Sequence, residues 1–289
     1  MRLLVTGAGG MLGHDVLRAA RRAGHEPIAL DRAALDITDA EAVVQAFSRE
    51  RPEAAINCAA WTDVDGAERH PEQAHLLNAA GAGNVARAAA QAGVAIVHVS
   101  TDYVFGGDAP LDASGSPRAY LESDPTGPRS VYGESKLAGE REVLDASPRH
   151  AVVRSSWLFG VDGPNFAATM LRLAAEREAV QVVEDQTGCP TWTGHLAPAL
   201  VGLLERGVAG LAHLAGAGHI SWNGFAKEIF RQAEVNCRVE PATSAEMARP
   251  APRPAWSALE SQRDDVLPLP PWQDGLAGYL AARTGMMRA

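Results

Sequence analysis

Two side chains that could transfer a proton are spaced for joint action in the run Tyr132-Gly-Glu-Ser-Lys136. Residues four apart lie on the same face of a helix. A phenol with an ordinary pKa of about 10 is a poor proton shuttle near neutrality, and a neighbouring ammonium lowers that pKa by favouring the phenolate. In ketone reduction the neutral phenol donates its proton to the oxygen as hydride reaches the carbon. The pair therefore predicts a proton donor beside a cation, although functionless helix pairs have the same spacing.

A hydroxyl-rich run supplies a third candidate group. Thr101, or its neighbour Ser100, follows a predicted buried strand and precedes Asp102. Ligands of open parallel sheets bind at the carboxyl ends of the strands. We therefore expect the Thr101 hydroxyl to bond a substrate carbonyl oxygen beside Tyr132, and Asp102 to hold sugar hydroxyls. A turn that merely caps the next segment is the alternative.

A glycine-rich turn joins the first predicted strand to a helix. Its glycines have the spacing Gly7-x-x-Gly10-x-x-Gly13. The first glycine permits a tight turn, the second lets backbone approach a pyrophosphate, and the third allows close helix packing. Free amides and the helix dipole then face the phosphates. The turn predicts a dinucleotide site, with a ligand-free turn as the alternative.

The residues after the second predicted strand bear on which dinucleotide is bound. Asp31 lies 18 residues past Gly13, where an acidic side chain can hold the adenosine ribose hydroxyls. This favours NAD, whereas Arg32 could neutralise the 2′-phosphate of NADP. Asp36 and Ile37 follow, and they could meet the adenine of the dinucleotide, although a plain helix-capping segment is an equally good interpretation. The cofactor prediction is therefore NADPH or NADH.

The elements that would carry these groups alternate between strand and helix, which is typical of a parallel sheet covered on both faces. We predict an α/β fold of the Rossmann type, a doubly wound parallel sheet with a smaller C-terminal substrate-binding portion. Residues 1–155 form the predicted dinucleotide-binding domain, and residues 156–289 are mainly the substrate-binding portion, with some segments returning to the sheet. The predicted elements are strands at 2–6, 27–31, 54–58, 94–100, 151–155 and 180–183, and helices at 10–23, 39–51, 71–91, 132–144, 166–177, 196–205, 222–233 and 273–283.

Composition and charge exclude several classes of protein. The chain has 289 residues, is 46% hydrophobic and carries a formal net charge of −9. Mixed acidic and basic residues argue against a nucleic-acid-binding protein. We find neither a signal peptide nor an apolar run of the roughly 20 residues that a membrane span needs, so we expect a cytoplasmic protein without membrane contact. Three separated cysteines fit reduced thiols.

The motifs together resemble the extended short-chain dehydrogenases/reductases, and within them the dTDP-4-dehydrorhamnose reductases. The resemblance spans nearly the whole chain. Besides the glycine turn and Tyr-x-x-x-Lys, it rests on four segments, which are Asn57 to Asp65, Arg154 to Gly160, Asp185 to Thr191, and Arg253-Pro254 with Ser257 and Leu259.

The resemblance assigns roles residue by residue. Thr101, Tyr132 and Lys136 would be catalytic, and Lys136 would also hold the nicotinamide ribose. The residues that would contact the cofactor are Gly7, Gly10, Met11, Leu12, Gly13, Asp31, Arg32, Asp36, Ile37, Ala60, Trp61, Thr62, Tyr132 and Lys136. The residues that would contact a deoxysugar nucleotide are Val64, Thr101, Asp102, Tyr103 and Trp157, the last of which would otherwise be an interior aromatic.

The implied activity is NAD(P)H-dependent reduction of the C4 ketone of dTDP-4-dehydro-β-L-rhamnose. A related ketosugar reductase or an epimerase on the same scaffold is a second possibility, since fold alone does not fix function. A non-catalytic regulatory subunit is a third, although the chain keeps all three catalytic residue types. We predict no metal site, because the sequence shows no convincing acidic cluster, and a monomer or homodimer.

Overall fold

A computed structural model describes residues 1–286, and they form an α/β fold around one six-stranded parallel sheet. Residues 287–289, the end of the predicted C-terminal portion, lie outside the described residues. The predicted fold class is confirmed by the sheet. Within residues 1–286, no helix is both long enough and apolar enough to cross a membrane.

The strands of the sheet lie in the order β10, β5, β4, β3, β1, β2. The strands of the chain are β1 (Arg2–Thr6), β2 (Glu26–Leu30), β3 (Ala54–Asn57), β4 (Ala95–Thr101), β5 (Ala151–Ser155), β6 (Leu158–Phe159), β7 (Ala179–Val183), β8 (Thr187–Gly188), β9 (Thr191–Trp192), β10 (Gly210–His213), β11 (Ile220–Ser221) and β12 (Arg238–Ala242).

The helices lie between the strands and are numbered in chain order. They are α1 (Met11–Arg22), α2 (Ala40–Glu50), α3 (Val64–Arg69), α4 (Pro71–His75), α5 (Ala82–Gln91), α6 (Val131–Ala146), α7 (Phe166–Ala174), α8 (Thr193–Arg206), α9 (Trp222–Gln232), α10 (Ser244–Met247) and α11 (Trp272–Met286). A π-helix, Leu76–Gly81, joins α4 to α5, and a 3₁₀ turn, Asp102–Val104, follows β4.

The order of the strands creates a crevice at the carboxyl edge of the sheet. The chain leaves β1 for β2 on one side and then returns to place β3 on the other side of β1. The connections after β1 and β3 therefore diverge at this edge, which is where open parallel sheets bind ligands. The glycine turn follows β1, and the segment Cys58 to Thr62 follows β3.

Both faces of the sheet are covered because its strands are apolar on both sides. Leu3 and Val5 of β1 pack in one apolar cluster with side chains of α1 and α8. Leu4 of the same strand points the other way and packs with side chains of α2 and α5. The alternation of β-strand side chains thus lets one strand join two cores.

A third apolar cluster lies outside the sheet and holds the later part of the chain together. Phe159, Phe225 and Tyr279 are buried in it, and the parallel pair β7 and β12 contributes to it. Helix α8 does not belong to this cluster, since its Leu196 and Leu200 pack on the sheet. Strand β10 also lies in the sheet, beside β5.

The sequence analysis missed several elements of this architecture, among them the short strands β6, β8, β9, β11 and β12 and the helix α10. Strand β10 was not predicted, because Gly210–His213 is short and owes its conformation to pairing with β5. The predicted continuous helix 71–91 is wrong in its middle, where the chain makes the π-helix. Its predicted start is confirmed, with Pro71 in the first turn. A further helix, α3, precedes it.

Candidate active site

The glycine turn forms a cradle of backbone where β1 meets α1. Gly7 has a φ of +67°, and a Cβ on it would lie 2.6 Å from the backbone nitrogen of Ala59. A Cβ on Gly13 would overlap the carbonyl oxygen of Gly7. A Cβ on Gly10 would have its closest contact at 3.3 Å, also with that oxygen. Close packing therefore requires glycine at the outer two positions.

The N-terminus of α1 suits an anionic group. Its N-cap, Gly10, makes no side-chain capping bond, and the first turn contains no acidic residue. The first amides of a helix have no partner within it, and the helix dipole is positive at that end. The cradle thus fits the pyrophosphate of a dinucleotide, as the sequence predicts, with Met11 and Leu12 opening the helix.

The acidic residue after β2, Asp31, accepts hydrogen bonds from nearby backbone amides and remains accessible to solvent. Asp31 is exposed, and its carboxylate accepts bonds of 2.9 Å from the backbone amides of Ala33 and Ala34. Arg32 is exposed beside it. Asp31 also lies against the turn, since a Cβ on Gly9 would be 3.4 Å from its Cβ. This position, at the mouth of the crevice, suits the predicted contact with an adenosine ribose.

Asp36 and Ile37 differ from each other in exposure. The carboxylate of Asp36 accepts bonds from the amide and hydroxyl of Thr38, and these bonds lower the pKa of Asp36. Ile37 is 2% exposed and belongs to the core on one face of the sheet. Its contact with the cofactor stays a prediction.

The segment after β3 is tied to the π-helix and to α6 by Asn78. Its side-chain oxygen accepts a 2.7 Å bond from the amide of Trp61, and its side-chain nitrogen donates to the Ser135 hydroxyl at 2.9 Å. Ala60 and Thr62 flank Trp61 in this segment. Asn78 is buried and was missed by the sequence analysis, which read its surroundings as ordinary helix.

Thr101 and Tyr132 meet at the carboxyl end of β4. Thr101 is the last residue of that strand, and Tyr132 lies in the first turn of α6, whose N-cap Ser130 accepts a bond from Gly133. The Thr101 hydroxyl faces the Tyr132 phenol and acts to lower the pKa of Tyr132. The Tyr103 ring packs edge-on against Tyr132, with ring centroids 5.5 Å apart. The two hydroxyls predicted to share a carbonyl are thus brought together.

The predicted effect of Lys136 on the phenol is wrong in this structure. Burial raises the pKa of Tyr132 to about 12. The amine of Lys136 instead faces the sheet, where it lies 2.8 Å from the Val99 carbonyl oxygen and 3.2 Å from His98 Nε2. Burial lowers the pKa of Lys136 itself to about 8. Helical spacing correctly placed the two residues on one helix, but a tertiary contact decides what the amine binds.

Asp102 is 2% exposed and lies behind the hydroxyl pair. It accepts bonds of 3.0 Å from the hydroxyls of Thr101 and Ser156. Burial raises its pKa to about 6, against the effect of those bonds. In this arrangement Asp102 orients Thr101 and Ser156, and its predicted contact with sugar hydroxyls stays a prediction.

An aromatic pair lies at the exit of β5. Trp157 has a φ of 48°, which is rare for a residue with a side chain. Its ring stacks on Trp222 with centroids 3.5 Å apart and planes 2° from parallel. A Cβ on Gly188 would overlap the Trp157 ring. Both indoles are half-buried, so Trp157 is neither a fully interior aromatic nor a free one.

One charged pair near the site was not assigned a role by sequence reasoning. Arg253 Nη2 lies 3.0 Å from the carboxylate of Asp65, in the helix α3 that Val64 begins. The charge of Arg253 also acts to lower the pKa of Tyr103, which burial raises. The segment Arg253-Pro254 was part of the family resemblance, which indicated that it belongs to the family's pattern but did not indicate that Arg253 pairs with Asp65.

Comparisons with known proteins show the family to which the chain is similar. The family model described as RmlD substrate binding domain matches residues 1–284. The chain is 45% identical to a dTDP-4-dehydrorhamnose reductase of Mycobacterium tuberculosis, over 97% of this chain and 93% of that protein. It is 42% identical to a probable dTDP-4,6-dihydroxy-2-methyloxan-3-one 4-ketoreductase of Streptomyces antibioticus, over 96% and 93% of the two chains.

The fold is also similar to that of a solved structure. A dTDP-4-dehydrorhamnose reductase from Bacillus anthracis, crystallised in complex with NADP, superposes with a TM-score of 0.92. It is 37% identical in sequence, and the match covers 97% of this chain and 99% of that one.

Proposed function

Because the chain belongs to the RmlD substrate-binding-domain family, we propose that it reduces the C4 ketone of dTDP-4-dehydro-β-L-rhamnose to give dTDP-L-rhamnose, using NADPH or NADH. The observation that carries the proposal is that Thr101, at the carboxyl end of β4, faces Tyr132 in the first turn of α6. The pair lies at the edge where the glycine cradle also opens, so a carbonyl and a dinucleotide can occupy one crevice.

The chain's own residues provide the cofactor site. Gly10 and the first amides of α1 would hold the pyrophosphate, and Asp31 with Arg32 would meet the adenosine ribose. Ala60, Trp61 and Thr62 would line the crevice beside them. When bound, the reduced nicotinamide supplies the hydride that reaches the substrate carbon.

Tyr132 would supply the proton for the alcohol oxygen. A raised pKa keeps its phenol protonated at neutral pH, so the donor is in the form that the reduction requires. The Thr101 hydroxyl would bond the same oxygen and hold the carbonyl against the phenol. Two hydroxyls on one oxygen stabilise the negative charge that grows there as the carbon is reduced.

The remaining predicted contacts would select the substrate. Val64, Tyr103 and Trp157 would contact the sugar nucleotide, and Arg253 adds a positive charge beside Tyr103. A nucleotide sugar carries two phosphate charges, which a guanidinium can pair with. A dTDP-deoxysugar therefore suits this site, with its sugar beside Tyr132 and its phosphates beside Arg253.

Cofactor consumption by purified protein tests the proposal. The protein is mixed with dTDP-4-dehydro-β-L-rhamnose and either NADPH or NADH, and absorbance loss at the nicotinamide band is followed. Oxidation of at least one cofactor and formation of dTDP-L-rhamnose are expected. If neither cofactor is consumed, the proposed substrate is wrong.

A related ketosugar reductase is the second candidate, because the Streptomyces antibioticus relative carries a different ketosugar in its name. A small panel of dTDP- and UDP-ketosugars separates the two, since the preferred substrate has the highest kcat/KM. An epimerase would instead retain NAD through purification and change a stereocentre without net cofactor consumption.

A further inference from the structure

The loop that follows β6 packs on the first residue of α1. A Cβ on Gly160 would lie 2.9 Å from Met11 Cγ, and a Cβ on Gly163 would lie 3.4 Å from Met11 Cβ. The side-chain nitrogen of Asn165 donates to the carbonyl oxygens of Gly160 at 2.7 Å and Gly163 at 3.2 Å. These bonds hold residues 160–165, the β6 loop, in a compact shape against Met11.

The β6 loop thereby reaches the place proposed for the pyrophosphate of the cofactor. Met11 follows the N-cap Gly10, and its backbone amide is among the first amides of α1, which have no partner within the helix. A loop in contact with Met11 therefore lies directly beside the groups that would bind the phosphates.

Arg18 of α1 holds the β6 loop through Asp162. Its Nη2 bonds the Asp162 carboxylate, and the same nitrogen lies 2.7 Å from Asp15 Oδ1. The side chains of Arg18 and Asp162 are 35% and 22% exposed, so water and salt screen their attraction only in part. The pair joins the helix of the glycine cradle to the loop that lies against it. The sequence analysis gave neither residue a role.

Asp15 fixes the direction of this guanidinium. Its other carboxylate oxygen, Oδ2, accepts a bond of 2.5 Å from the hydroxyl of Thr193, the first residue of α8. Thr193 is 0% exposed, and a Cβ on Gly160 would overlap its hydroxyl oxygen. Because Asp15 is held from α8, Arg18 meets Asp162 from a position that the packing of α1 on α8 determines.

We propose that Arg18 and Asp162 are positioning residues that latch the β6 loop beside the pyrophosphate of the bound cofactor and so slow the release of the cofactor. The proposal deepens the function given above and rests on it for the identity of the ligand. The latched loop keeps water from one side of the phosphates, and their attraction to the helix amides is stronger where water is excluded. Loss of the latch should therefore raise the dissociation rate more than it changes the association rate.

A latch and a simple effect of charge predict opposite results at Asp162. A carboxylate near a pyrophosphate repels it, so charge alone predicts slower release of the cofactor from Asp162→Ala. The latch predicts faster release, because the loop loses its bond to Arg18. At Arg18 both explanations predict faster release, so Asp162 is the decisive position.

Stopped-flow measurement of cofactor release tests the latch on the full-length protein. Bound NADPH is displaced by excess NADP⁺, and the change in nicotinamide fluorescence gives the dissociation rate. We expect Arg18→Met and Asp162→Ala each to raise this rate on the order of five- to tenfold. Asp162→Asn keeps an oxygen acceptor for Arg18 and should raise the rate less. Unchanged or slower release from Asp162→Ala overturns the proposal.

Arg21→Met is the matched control. Arg21 is exposed on the same helix, so this variant makes the same change of charge as Arg18→Met and leaves the latch in place. Its dissociation rate should stay near that of wild type. A rate raised as much as in Arg18→Met would show that the helix charge, and not the latch, retains the cofactor.

The double variant Arg18→Met with Asp162→Ala tests whether the two residues act as one contact. It should release the cofactor no faster than the faster single variant, because a shared contact is lost only once. Effects that multiply would contradict the latch. Thermal unfolding of each variant establishes that it is folded, and the Asp162→Ala result decides alone if Arg18→Met does not fold.

These measurements need no ketosugar. Cofactor binding with wild-type release from Asp162→Ala refutes the latch and leaves the proposed reaction standing. Faster release from the latch variants without cofactor oxidation in the presence of the ketosugar supports the latch and refutes the proposed reaction. A wild-type protein that binds neither NADPH nor NADH overturns both.

Discussion

Arg154 and Glu140 form a two-point ion pair beneath the candidate active site. Nη2 and Nε of the guanidinium lie 2.7 Å and 2.9 Å from the two carboxylate oxygens, and the side chains are 4% and 3% exposed. The guanidinium also lies over the Phe105 ring, 5.0 Å from its centroid. The pair joins β5 to α6, the helix that carries Tyr132 and Lys136, so it fixes the helix against the sheet.

Breaking this pair should destabilise the protein strongly. Arg154→Met leaves the Glu140 carboxylate buried without its partner, and we expect a loss of about 3 to 5 kcal/mol in the free energy of unfolding. Urea denaturation measures it. The exposed pair Arg172 and Glu176 is the control, since Arg172→Met should lower the stability by no more than about 1 kcal/mol. Equal losses in the two variants would contradict the structural role of the buried pair.

Tyr132→Phe should lower kcat by on the order of 10²- to 10⁴-fold, because the positioned proton donor is lost. The ring remains, so packing against Tyr103 is kept and cofactor affinity should change little. Steady-state assays with the ketosugar and fluorescence titration with NADPH measure the two quantities. Turnover at the wild-type rate would remove Tyr132 from the mechanism.

Gly7→Ala should abolish measurable cofactor binding, since its Cβ would lie 2.6 Å from the backbone of Ala59. Gly24→Ala is a matched control. Gly24 has a similar φ of +77°, but a Cβ there meets nothing within 4 Å. The control should therefore lose only about 1 to 2 kcal/mol of stability from its left-handed backbone and should still bind NADPH. Calorimetric titration decides, and tight binding by Gly7→Ala would contradict the cradle.

Asp102 should make the stability of the protein fall as pH rises. Burial raises its pKa to about 6, so the folded state favours the protonated acid, and ionisation opposes folding once the pH passes the unfolded value. Asp102→Asn removes this penalty. Relative to wild type, the variant should gain on the order of 2 to 3 kcal/mol between about pH 4 and pH 7. Thermal unfolding across that range measures the difference, and a constant difference would show that Asp102 has no raised pKa.

Local patterns in the sequence predicted much of the fold. The bounds of β1 and β5 were predicted correctly, because both are short apolar runs between turn or helix signals. The glycine spacing predicted the turn between β1 and α1. Strand β10 was missed because a four-residue segment acquires its conformation from the neighbour it pairs with. The π-helix was missed because it differs from an α-helix by one residue in hydrogen-bond spacing.

The sequence by itself determined which chemical groups the site contains and which of them share a helix face, since the helical repeat is a local property of the chain. It placed Tyr132 and Lys136 together and set Thr101 at the end of a strand. Only the tertiary structure decided that the amine of Lys136 meets His98, 38 residues away, and that burial raises the pKa of the phenol. Protonation depends on solvation and on neighbours distant in sequence, and these exist only once β4 and α6 have packed together.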